Sequence, residues 1–209
     1  MSIRPRLARQ AGLTLVELVM FIIIISVAVA GVVGTVARVS ARSADPFLRK
    51  QAMLRAESLL EEVSLARFTF CHPDDANAET ATSAAACATM PEAVGPRAGE
   101  TRPYFNINDY VGAFGAAASF TAGDTSGGRV VTDVTGAPML PVGFTALVTI
   151  RAVPAFGPSG MQIGAVAAPV NAADTEVLHI SVDVGYGASA AEHVVLDTYR
   201  TRYAPNSTP

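Results

Sequence analysis

Residues 13–33 read LTLVELVMFIIIISVAVAGVV, and this run constrains the chain more than any other feature. Wound as a helix it is about 30 Å long, enough to cross the hydrocarbon core of a bilayer. Residues 1–12 before it carry Arg4, Arg6 and Arg9. Basic residues ahead of a span hold that end in the cytoplasm and send the C-terminal side outward. A secretory signal is cut behind its apolar stretch. Here the best cleavage signature lies in front of it, between Gly12 and Leu13. Glu17 then stands inside the apolar helix. A carboxylate there costs about 2.5–3.5 kcal/mol when unpaired at the bilayer centre and less near the headgroups, so such a residue marks function unless it snorkels.

Gly12 followed by Leu13-Thr14-Leu15-Val16-Glu17-Leu18 and a long aliphatic run resembles the class III signal of type IV pilins and type II secretion pseudopilins. The resemblance implies that a prepilin peptidase cuts after Gly12 and methylates the amine of Leu13, a position where phenylalanine is commoner in the family. It makes Glu17 the fifth residue of the mature chain. The physics agrees: the new amine of one subunit can neutralise Glu17 of a neighbour, which sets register between packed helices. Gly31 and Gly34 each weaken a helix by about 1 kcal/mol relative to alanine. The family likeness suggests that the stretch from Gly31 to Gly34 is partly extended in filaments. Simple close packing, with Ala30 and Gly34 as a small pair, is the other reading.

Asp45-Pro46 looks like an N-cap and first helical position, which predicts a kink or break near Ala44 and a second helical half running to about Arg67. Leu48, Ala52, Leu59, Val63 and Ala66 recur at helical spacing, Leu60 widens the stripe, and Glu57, Glu61 and Glu62 take the polar side. The blocks DPFLRKQAMLRAESLLEEV, FTFCHPDDANA and Asn106-Ile107-Asn108-Asp109-Tyr110 resemble D-type minor pilins of mannose-sensitive haemagglutinin (MSHA) pili. Pseudopilins of the I type share the AESLLEE-like helix.

Residues 71–143 read as loops, with a low-complexity stretch at 78–88 and a turn signal in Gly123-Asp124-Thr125-Ser126-Gly127-Gly128. Strands are legible at 144–153, at 175–184, where Leu178, Ile180, Val182 and Val184 alternate with His179, Ser181 and Asp183, and at 192–203. A turn at Gly185-Tyr186-Gly187-Ala188 joins the last two, and residues 204–209 read as a disordered tail. The fold class is therefore α+β: a pilin-like arrangement with a long N-terminal helix, its first half membrane-embedded, packed on a C-terminal antiparallel sheet of three or four strands. The domains are a leader (1–12), a transmembrane or filament-core helix (13–44) and a periplasmic helix plus loop-rich β domain (45–209).

With no tryptophan and much alanine, glycine and proline, the composition favours small side chains over a bulky aromatic core. Removing residues 1–12 takes away three of the 15 basic residues and no acidic one, so the net charge falls from -3 to -6. Lys50 is the single lysine. An acidic body without a basic stripe argues against direct nucleic-acid binding. Cys71 and Cys87 are the two cysteines, and an isolated pair in an exported domain favours one disulfide over two buried thiols.

His179 and His193 fall on neighbouring strands but lack a third ligand at a diagnostic spacing. His72, Asp74, Asp75, Asn77 and Glu79 are oxygen-rich, which makes Asp74, Asp75 and Asn77 a weak calcium candidate against a plain acidic turn. There is no GxxxxGK[ST] and no GxSxG, so the sequence offers no catalytic residues and calls for no cofactor. The expected partners are other pilin subunits, prepilin peptidase, the inner membrane, and the pilus assembly platform with its ATPase. The expected function is a minor pilin of an MSHA-like pilus, serving adhesion or pilus biogenesis. It would move from the inner membrane, with its C-terminal domain periplasmic, to the cell surface. The alternatives are a type II secretion pseudopilin and an anchored periplasmic domain of another activity.

Overall fold

The computed structural model describes residues 14–123, 127–164, 175–187 and 192–202, with the backbone alone at 38–45. The Gly12–Leu13 cleavage position, the middle of the 123–128 turn, Ala188 and the tail at 204–209 lie outside the described residues. Contacts divide the chain into two compact units, with the division between Phe47 and Leu48.

A single helix, α1, runs from Leu15 to Leu65. No break interrupts it. In the single chain helical backbone continues through Gly31 and Gly34, with open space where a Cβ would stand on either. It also continues through Pro46, so no helix ends near Ala44, and Asp45 is an interior helical residue instead of a cap. An interior proline removes one backbone bond at a cost of about 3 kcal/mol, which a helix this long bears because strong helix formers from Leu48 to Ala56 follow it.

From Leu48 onward the helix belongs to the second unit. Of the expected stripe, Ala52, Leu59, Val63 and Ala66 are buried and Leu48 and Leu60 pack partly buried against the same core, which Ala56 joins. The inner face of a four-stranded antiparallel sheet belongs to the same core cluster. The sheet order is β1 (Ala117–Ser119), β4 (Thr145–Ala152), β5 (Val177–Gly185), β6 (His193–Thr201). Strand β5 pairs along its length, with Ile150 opposite Ile180, Val148 opposite Val182, and Ala146 opposite Val184. Those six side chains and Leu178 are fully buried, and His179, Ser181 and Asp183 point the other way. The register needs Gly185, because a Cβ there would stand 2.6 Å from the Thr145 hydroxyl. A hairpin of β2 (Thr121–Gly123) and β3 (Arg129–Val131) adds a second small sheet. It lies in the region expected to be loop, where three-residue strands leave no alternation to read.

Composition misleads about the core. Aromatic residues are few, but Phe68, Tyr110, Phe120 and Phe144 all join the alanines and valines of the main cluster. The Asn106–Tyr110 motif forms a short 3-10 helix, Ile107–Tyr110, buried throughout. Asn106 caps it: its side chain accepts from the Asn108 amide, and the Asp109 carboxylate accepts from the Asn106 amide. The motif is tied to the end of α1, since Arg67 N–H donates to Phe105 and Ile107 N–H donates to Arg67.

Glu62 does not stay in water as the helical pattern suggested. Its two oxygens take Arg102 in a bidentate grip, and Oε1 also accepts from the Tyr110 hydroxyl at 2.9 Å. Arg102 in turn donates to Thr132 Oγ1 at 3.0 Å and lies over the Phe120 ring. Helix, 3-10 motif and hairpin are thereby joined through one carboxylate. Removing one partner of a buried pair strands the other. Glu62→Ala is expected to destabilise the protein by about 3 kcal/mol, whereas Glu57→Ala, on the exposed side, should cost under about 0.5 kcal/mol. Urea titration of both variants in detergent checks the contrast, and equal effects would remove Glu62 from the core.

Candidate functional site

The first candidate is the start of α1. Thr14 caps it: the Leu18 amide donates to the Thr14 carbonyl at 3.1 Å, and the Glu17 amide to Thr14 Oγ1 at 3.4 Å. Glu17 therefore occupies the third helical position, where a carboxylate also suits the helix dipole. The span Leu15–Ala37 covers 23 residues with a mean hydropathy of 2.8 and no part buried within the chain. Ser26 and Thr35 turn their hydroxyls back to the carbonyls of Ile22 and Val32. They thus add little polarity to the surface. Glu17 is left as the only ionisable side chain of this span, exposed and without a partner among the described residues.

The second candidate is the loop after the helix. Cys71 and Cys87 are bonded, with Cα atoms 5.6 Å apart across 16 residues of sequence. Inside that loop Asp75 accepts four backbone N–H bonds. Those of Asn77 and Ala88 reach Oδ1, and those of Thr89 and Met90 reach Oδ2. The donors hold its carboxyl well below the usual carboxylate range. Asp75 is thus the clasp of the disulfide loop, closing by hydrogen bonds what Cys71–Cys87 closes covalently. The other two calcium candidates go elsewhere: Asp74 is exposed, and the Asn77 amide donates to the Ala86 carbonyl. Among the described residues no three His, Cys, Asp or Glu side chains converge as a metal cluster.

The histidines are also separated. His179 lies opposite Tyr199 and His193 opposite Gly185, six positions along β5, or about 20 Å. Each has its own acid, Asp197 for His179 at 3.0 Å and Asp183 for His193 at 3.2 Å. His72 pairs with Glu100 at 2.8 Å.

The interior charges are the residues that sequence reasoning missed. Arg202, at the end of β6, stacks on Phe68 and Phe70 and donates to the carbonyls of Thr175 and Phe68. Burial pulls its guanidinium down to about 10. Asp109 and Glu92 are buried, each with one oxygen unpaired. Burial, then the charge of Glu92, pushes Asp109 up to about 7, and burial pushes Glu92 up as well. Arg55 occupies a core position of α1, and burial pulls its guanidinium down. One signal for Arg55 was available: it falls between Ala52 and Ala56 on the apolar stripe. Glu92 carries no such mark.

Compared with protein-family models, curated proteins and solved structures, the chain has no match. Its chemistry rests on its own residues.

The two buried acids set opposite slopes of stability with pH. Asp75 is depressed in the folded state, so its contribution is present above the unfolded value near 4 and is lost as pH falls below it. Asp109 is raised, so the fold loses stability as pH rises from about 4 to about 7. Stability should therefore peak near pH 4–5 where these two groups dominate. Asp109→Asn keeps an acceptor for the Asn106 amide and removes the charge. It should stabilise the protein at pH 8 by on the order of 2 kcal/mol, after allowance for solvent screening, and by little at pH 4. Thermal unfolding across pH 3–8 reads both limbs; an unchanged alkaline limb in the variant would remove Asp109 as its cause.

Proposed function

We propose that the chain is a structural subunit, a type IV pilin-like protein assembled through its N-terminal helix, and not a catalyst. The observation that carries this reading is a 23-residue apolar helix with no part buried in its own chain and one carboxylate, Glu17, in its first turn, unpartnered among the described residues. That surface must be covered by lipid or by other helices, and a carboxylate among them requires a cation. The amine released by cutting between Gly12 and Leu13 supplies that cation from a neighbouring copy. The disulfide fits a domain exported to an oxidising compartment. The finer assignment is a minor pilin of an MSHA-like pilus. Such a subunit is held in the inner membrane with its C-terminal domain periplasmic, processed by prepilin peptidase, and delivered to the filament by the assembly platform and its ATPase.

In a cell with prepilin peptidase, the membrane-bound protein is expected to begin at Leu13 and to weigh one methyl group more than the cut chain. A retained leader, or a cut beyond Val36, would return the protein to the class of anchored periplasmic domains. Glu17→Ala should still be cut and inserted, yet be lost from sheared filaments. Recovery at the wild-type level would end the register role.

A further inference from the structure

Arg55 is a buried cation to which the described residues supply no counter-charge. It is 7% exposed. Its hydrogen bonds go to neutral carbonyls: Nη1 donates to Gln51 at 3.1 Å and Nη2 to Leu140 at 3.0 Å. The guanidinium lies 4.0 Å from the centroid of the Phe144 ring. Nε is buried and has no partner among the described residues. No described carboxylate is within ion-pair distance of it. Arg102 shows the contrast, since it is similarly buried but clasps Glu62. An arginine does not escape this cost by losing its proton near neutral pH, so an anion reaching the guanidinium from outside would be favoured.

Arg55 lines a groove of about 360 Å³ between the second half of α1 and the β3 strand with the turn after it. Leu59, Leu65, Val131, Val134 and Met139 give it an apolar wall. A volume of this size suits a small organic ligand, and a few polar groups set into an apolar wall are the usual pattern of such sites. The groove also meets three acids, but none competes for Arg55. Glu62 is held by Arg102, and Asp133 accepts from the Thr135 amide and hydroxyl and the Ala137 amide. Glu61 is exposed and screened by solvent.

We propose that this groove binds a small monocarboxylate with an apolar body, the carboxylate on the Arg55 guanidinium and the hydrocarbon against Leu59, Val131 and Met139. The charge-assisted pair supplies orientation, and the apolar wall selects against small hydrophilic anions. The site lies wholly in the second unit and is independent of filament assembly.

The test uses the full chain in lipid nanodiscs, titrated by calorimetry with benzoate, phenylacetate and hexanoate, each beside its neutral amide. At least one carboxylate should bind about tenfold or more tightly than its amide, the discrimination that a charge-assisted bond supplies. Arg55→Met, checked for folding by circular dichroism, should erase that preference. Val134→Trp narrows the groove without touching Arg55 and should weaken carboxylate binding by a similar factor. The proposal fails if wild type shows no carboxylate preference, or if a folded Arg55→Met keeps it. Should Arg55→Met not fold, unchanged binding in Val134→Trp is the overturning result.

Discussion

Ala52, Ala56, Leu59 and Val63 lie about one helical turn apart along the second half of α1, and they share a core with the inner face of β4 and β5. The two alanines let the helix come close to the sheet, and Leu59 and Val63 fill the space between. Full burial of a leucine or valine contributes roughly 1.5–3 kcal/mol. Ala146, Val148, Ile150, Leu178, Ile180, Val182 and Val184 form the other side of that core, all with no measurable exposure. The sheet has one apolar face and the helix one apolar stripe, and neither is stable in water alone. The remaining parts of the unit, the capped 3-10 motif, the disulfide loop and the small hairpin, are arranged around that contact.

Placing charged residues at the edge of this core fixes its partners. The Glu62 carboxylate can face inward because Arg102 and Tyr110 meet it there, and Arg102 can because Thr132 and the Phe120 ring take its other edge and face. Arg202 does the same at the far end of β6 through Phe68, Phe70 and two carbonyls. Asp75 is satisfied by four amides and is therefore a strong acid. Asp109 is raised by burial and by the charge of Glu92 against a single bond from Asn106, and is therefore a weak one. The same residue type is driven down where backbone amides converge on it and up where burial and a neighbouring acid act on it.

Long periodic elements were legible in the sequence and short or tertiary ones were not. The stripe at Ala52, Leu59, Val63 and Ala66 and the alternation from Leu178 to Val184 carry their own periods, so burial followed from spacing. Cys71–Cys87 followed from there being just two cysteines. Strands β1, β2 and β3, three residues each, are too short to show a period and form only because β4 or each other's edges receive them. Pro46 misled because a local rule for helix starts was outweighed by the helix propensity of the residues that follow it. Glu62 was placed in water because helical spacing says which face a residue occupies, not what stands opposite. Arg102 is 40 residues away. The acidic run around Asp75 offered oxygen ligands by composition, but the backbone amides of residues 88–90 claimed them first.

What the chain leaves uncompensated is as informative as what it satisfies. In the first unit the unmet demand is steric and electrostatic together: an apolar helix surface from Leu15 to Ala37 with Glu17 in its first turn. In the second it is a cation, Arg55, surrounded by carbonyls and a phenyl ring. The interior charges elsewhere show that this chain can match a buried ion when both partners belong to it, as Glu62 and Arg102 do. A helix surface that no described part of the chain covers and a guanidinium that no described acid meets therefore point outward. In the proposed reading the first is completed by other helices carrying a free amine, which is the logic of assembly. The second is completed by an anion small enough for a groove of about 360 Å³, which is the logic of a ligand.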